Sequence, residues 1–306
     1  MVRSLFLAVA SVTLVLTAGS VRAQNPVDAP TFDWSGTIAA GGTLRLADVD
    51  GNIRVTAATS SQARVHGERT RVRSGPRALI FDVVQSGGDV TICARYPDGE
   101  CDQSGGHNHM DGNYDGNYGE SPQADLTVEL PPGVKLEAKT GDGRVDVKDA
   151  GGDVRAKSGD GAINIIGAAG TVDAKSGDGD IILEGVKGSV TAHTGDGNIR
   201  VTAGTAPVKV SSGDGSIEVR VGATAGGQSI TAHTGDGSVT VYLPASFAGE
   251  VEASTGDGTL ETDFPVAIST GGMNLHRLRG TIGSASANAA TVSVSTGNGN
   301  VQLKKS

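Results

Sequence analysis

The sequence predicts an all-β fold, a parallel β-solenoid (β-helix) with two-strand coils of about 18 residues and irregular N-terminal capping strands. Three observations predict it. Ser/Thr-Gly-Asp-Gly begins at Thr140, Ser158, Ser176, Thr194 and Ser212, each 18 residues after the last. Two more copies begin at Thr234 and Thr255, and a Thr-Gly-Asn-Gly variant begins at Thr296. A fixed period of this size marks one supersecondary unit stacked on copies of itself. On both sides of the tetrapeptide apolar and polar residues alternate, as in a strand buried on one face. Glycine fills 47 of 306 positions and aromatics only 3%. That composition suits a thin core of Val, Ile and Ala between two close sheets.

The elements follow in chain order. Arg3 opens a short positive segment, and Leu5 to Ala18 is apolar but short for a membrane span. Val21-Arg22-Ala23 offers a small-x-small cleavage site. Residues 1–23 therefore read as a signal peptide cut between Ala23 and Gln24, leaving no transmembrane anchor. The expected location is the periplasm, the cell surface or the medium.

Residues 24–135 read as an irregular β region. Gly42 to Leu46 and Gly51 to Val55 look like a degenerate first coil. Ala63-Arg64-Val65 and Val90-Thr91-Ile92 are further strands. Cys93 and Cys101 form an isolated pair, and in an oxidising compartment they are expected to close one disulfide. A polar insertion follows at 102–122. His107, His109 and Asp111 in it have ligand chemistry for zinc or copper, but its composition reads first as a polar surface loop. Leu126 to Leu130 is a strand ended by Pro131-Pro132-Gly133.

Residues 136–306 read as the regular coils and a C-terminal cap. In one coil Val154, Ala156, Ser158, Ile163 and Ile165 face the interior. The glycines flanking each Asp are expected to supply positive φ for a tight bend, with the Asp accepting hydrogen bonds from its own turn. Gly280 to Leu303, with its Thr-Gly-Asn-Gly, is expected to close the array as an atypical terminal coil.

Stacking places Asp142, Asp160, Asp178, Asp196, Asp214, Asp236 and Asp257 in one row. Neighbouring carboxylates about 5 Å apart repel by roughly 1 kcal/mol in water. Turn amides, the nearby Lys139, Lys157, Lys175, His193 and His233, or bound calcium are the candidate offsets. A calcium β-roll carries Asp on both turns of each coil; here only one turn does. The formal charge of −9 argues against nucleic acid or an anionic membrane as partner. Enzyme signatures are missing: there is no Gly-x-Ser-x-Gly, no His-Glu-x-x-His and no phosphate loop. A residue row repeated on every coil lacks the local asymmetry of a catalytic site.

Pro131-Pro132-Gly133-Val134-Lys135-Leu136, the Ser/Thr-Gly-Asp-Gly-x-Ile-x-Val coils, Arg279-Gly280-Thr281-Ile282-Gly283 and the ending at 294–301 together resemble a bacterial family of adhesin-type β-strand-repeat proteins, domain of unknown function 4097. The resemblance covers most of residues 32–303. It implies an exported, adhesin-like β-solenoid and carries over no catalytic residue. The expected function is a non-enzymatic structural solenoid of the cell envelope that meets a surface protein or glycan. The alternatives are a cation-binding module and, behind it, a carbohydrate-active β-helix enzyme.

Overall fold

The computed structural model describes residues 21–24, 30–71, 79–97, 99–107, 123–222, 227–274, 276–284 and 289–306. The apolar segment of the expected signal peptide lies outside them. No described helix is long and apolar enough to cross a membrane.

A representative coil shows how the sequence folds. Val154–Lys157 forms a strand with alternating burial, Ser158–Gly161 turns the chain, and Ile163–Ala168 forms the second strand. Val154 and Ala156 project inward from one sheet, and Ile163 and Ile165 meet them from the other. Each coil pairs in parallel with the next at the expected register. Val154 aligns with Val172, then Val190, then Val208; Ile163 aligns with Ile181, Ile199 and Ile217. Two wide sheets result, of 14 and 12 strands among the described residues, with one continuous apolar core between them.

Thr43–Ala47 and Ile53–Ala57 are in register with Lys135–Lys139 and Val145–Lys148, so they are the first coil of the stack. Asp89–Arg95 and Gln123–Leu130 add one more parallel layer. The N-terminal end is then closed by antiparallel strands: Ile80–Ser86 on one sheet, Gln62–Arg71 and Thr31–Thr37 on the other. Bulkier side chains fill this end. Phe32 stacks on Phe81 at 5.0 Å, and buried Arg95 donates to Asp82 at 2.6 Å. The backbone of Val21–Gln24 pairs along Ile80–Ser86, so the expected cleavage point falls inside this edge strand.

Two expectations need correction. The turn glycines do not have positive φ. That conformation occurs instead at the far end of the second strand, at Gly167 (φ 74°), Gly185 (φ 66°) and Asp149 (φ 56°). The turn glycines are needed because successive turns lie against one another. A Cβ on Gly143, Gly161 or Gly179 would overlap the carbonyl oxygen of Gly51, Gly143 or Gly161 one coil back.

The second correction concerns the C-terminal end. The Thr-Gly-Asn-Gly coil is not the last layer in space. Ala290–Thr296 lies between Ser229–Thr234 and Gly249–Thr255, and Val301–Lys305 lies between Val239–Leu243 and Leu260–Thr262. The chain builds one coil too far out and returns to fill the gap. The outer end is the antiparallel hairpin of Val266–Asn274 and Arg277–Ile282.

Candidate binding surface

The buried side of each turn is a hydroxyl ladder. Ser158 Oγ donates to Gly143 O one coil back (2.8 Å) and accepts from Gly161 N (3.0 Å). Ser176, Thr194, Ser212, Thr234 and Thr296 repeat the donation. These bonds satisfy carbonyls that the turn leaves without a strand partner. Sequence alternation placed the hydroxyls inward but did not reveal this function.

The Asp row lies on the outer side. Asp142, Asp160, Asp178, Asp196, Asp214, Asp236 and Asp257 are all exposed, one per turn. In space Asn298 separates Asp236 from Asp257, and its Nδ2 donates to Asp236 Oδ1 at 2.5 Å. The single Asn thus relieves like-charge contact at the inserted coil. Among the described residues no three Asp, Glu, His or Cys side chains converge as a metal cage. One exposed carboxylate per layer does not fit the six to eight oxygen ligands that calcium takes.

The lysines do not neutralise that row. Lys139, Lys157, Lys175 and His193 align directly on the outer face of the 14-stranded sheet. Lys175 approaches Asp173 at 3.9 Å. His193 and His233 each share a hydrogen bond with the next serine of their column, Ser211 at 2.9 Å and Ser295 at 2.8 Å. The adjacent column is ion-paired within itself: Arg45, Glu137, Arg155 and Asp173 alternate in sign at 3.1–3.4 Å, and Arg45 also pairs with Asp89 from the neighbouring strand at 2.9 Å. Burial works against the Arg45 charge, but hydrogen bonding and attraction from Asp89 and Glu137 outweigh it, holding its pKa above the ordinary value.

A groove of about 250 Å³ opens where this face meets the hairpin of Glu100–Asp102 and Gly105–His107. Arg45, Glu137, Lys139, Arg155 and Lys157 line it with Ser104, Gly105 and Gly106. The disulfide Cys93–Cys101, with Cα atoms 6.1 Å apart, holds the hairpin down against Ala47. The backbone of His107 pairs with Glu100. His109 and Asp111 lie outside the described residues.

Sequence reading missed Asp48. It occupies the Ser/Thr position of the first coil and is buried, with neither carboxylate oxygen in a well-formed hydrogen bond. Burial pushes its pKa well above the ordinary range. The Val49 and Gly51 amides offset only part of this, and the Asp50 and Asp125 charges add to it. Asp50 is also raised, by burial and by Asp142.

No protein of curated function matches the chain. A candidate cell adhesion protein from Clostridium sporogenes ATCC 15579 is similar at 12% identity and a TM-score of 0.30, covering 90% of this chain and 100% of that one. A candidate adhesin from Bacteroides fragilis NCTC 9343 is similar at 14% identity and a TM-score of 0.47, covering 89% and 96%. The family profile described as Toastrack DUF4097 matches residues 42–304, from the first coil through the inserted C-terminal one, and the chain belongs to that family.

Proposed function

We propose that this chain is an exported, non-enzymatic, adhesin-like β-solenoid of the cell envelope that presents a long repetitive surface to a protein or glycan. The observation that carries this reading is the pair of wide sheets whose outward side chains stand in long columns at strand spacing. Such a surface suits an elongated partner, because the columns run continuously along the stack of coils. The apolar stretch and cleavage motif before Gln24 motivate export.

The test is protease shaving of intact cells, followed by attachment of those cells to immobilised host and matrix material. Cleavage on whole cells, and attachment lost on deletion of the gene, are the expected results. Full protection with release by osmotic shock would overturn the surface reading.

A further inference from the structure

We infer that the Lys139–Lys157–Lys175 row, with the groove at its head, is a binding track for a linear acidic polysaccharide, a chain of sugar carboxylates lying along the solenoid axis. This rests on the surface-binding reading above and names the partner's chemistry.

The row is a local exception. The whole chain carries a formal charge of −9, yet here three exposed lysines stand in file, paired residue to residue across neighbouring strands. Strand pairing spaces them by roughly 4.8 Å. Like charges this close repel, which an extended anionic partner relieves. Turn geometry does not need them, because backbone and hydroxyl bonds already satisfy the turns. Among the described residues Lys139 and Lys157 have no ion-pair partner, whereas the arginines beside them do.

The track has a defined start. Ala47 is the residue of this column in the first coil, and the disulfide-held hairpin seats on it. A lysine there would run into the Gly105–Gly106 backbone, which stands close to the Ala47 Cβ. The hairpin therefore walls one end of the groove over Arg45, Lys139, Arg155 and Lys157. From that wall the row runs down the sheet to His193.

The flanks decide what kind of polyanion fits. Glu137 lies between Arg45 and Arg155 in the next column, Asp173 lies beyond Arg155, and the exposed Asp row borders the turn side. Those carboxylates accept hydrogen bonds from sugar hydroxyls. A phosphodiester backbone on DNA is repelled by them without compensation, because its deoxyriboses bring no free hydroxyls along the chain to donate to them. A duplex or an anionic membrane is broader than one lysine column and would meet the acidic flanks. A narrow cationic line with acceptors beside it matches a uronate chain.

Calorimetric titration of the purified full chain with octagalacturonate tests this. Maltooctaose serves as the neutral control, and an eight-nucleotide DNA strand and phosphatidylserine vesicles as rival anions. Octagalacturonate is expected to bind, to weaken as salt rises, and to bind more tightly than either rival; maltooctaose is expected not to bind. The combined Lys139→Gln, Lys157→Gln, Lys175→Gln variant is expected to lose at least tenfold in affinity with its Tm unchanged. The single Lys157→Glu variant is expected to do the same should the triple variant express poorly. Lys148→Gln, on the opposite sheet, is expected to bind as the parent does. Absence of octagalacturonate binding, equal binding by the row variants, or tighter binding of DNA or vesicles would each overturn the inference. Cell-surface exposure is read independently by shaving, so failure here leaves that reading standing.

Discussion

At Asp48 the array places a carboxyl where every later coil places a hydroxyl. Thr140 and Ser158 donate to carbonyls one coil back, and only a protonated carboxyl can do likewise. A carboxyl whose folded pKa is raised stabilises the fold fully below its unfolded value of about 3.9 and loses that contribution as pH rises through the folded value. Asp48→Asn is therefore expected to raise stability at pH 8 by about 1–3 kcal/mol, the usual cost of an unsatisfied buried polar group. The gain should shrink as pH falls toward 4. Melting curves of both proteins across that range check it; a gain independent of pH would contradict the protonation account. Asp149 offers a second test, since its φ of 56° belongs to the column that holds glycine in the next two coils. Asp149→Gly is expected to gain up to about 1 kcal/mol. Gly167→Ala should lose at least that much, because its Cβ would also crowd Asp149 Oδ1. Equal Tm for parent and Gly167→Ala would refute this. Neither residue was legible in the sequence. The motif search keyed on identical tetrapeptides, and both positions matter because they depart from their column.

The turn, as an element, was legible in position but not in cause. Gly-Asp-Gly announces a bend, and a bend suggests left-handed backbone. The contact that fixes these glycines is with another coil, 18 residues away in the chain, which local turn chemistry does not report. Gly179→Val is expected to cost at least about 2 kcal/mol by forcing adjacent coils apart. Asp178→Asn should change stability by less than about 0.5 kcal/mol, since that side chain is exposed. Urea denaturation separates the two, and similar midpoints for both variants would refute the stacking account. The same geometry bears on the Asp row. With one exposed carboxylate per layer and no cage among the described residues, calcium against chelator is expected to leave the Tm within about a degree. A rise of several degrees would show that the row binds the ion after all. Lys157 and Asp160, three residues apart, were natural partners in the sequence. In the fold one stands on the sheet face and the other on the turn, and the turn separates their directions.

At the scale of the whole molecule, periodicity made the solenoid legible and left the order of its last layers hidden. Coils that share one motif are interchangeable as stacking partners. Thr296-Gly297-Asn298-Gly299 therefore reads as a coil without saying which two coils it joins. The answer lies in long-range pairs such as Ile230 with Val292 and Val251 with Val292, on opposite edges of the same strand. Repeat arrays draw their stability from nearest-neighbour interfaces. This inserted coil supplies both interfaces for the layer beyond it. A chain ending at residue 288 would lose Val292, Val294, Val301 and Leu303 from the core and expose two strand edges on each side of the gap. Hydrogen exchange of that truncated chain is expected to show lost protection over 229–282, while 136–221 stays close to native. If the C-terminal coil merely capped the end, protection over 249–262 would survive its removal. Loss confined to the far hairpin would therefore refute the insertion, and loss on both sides of the gap would establish that the chain completes its array from the inside.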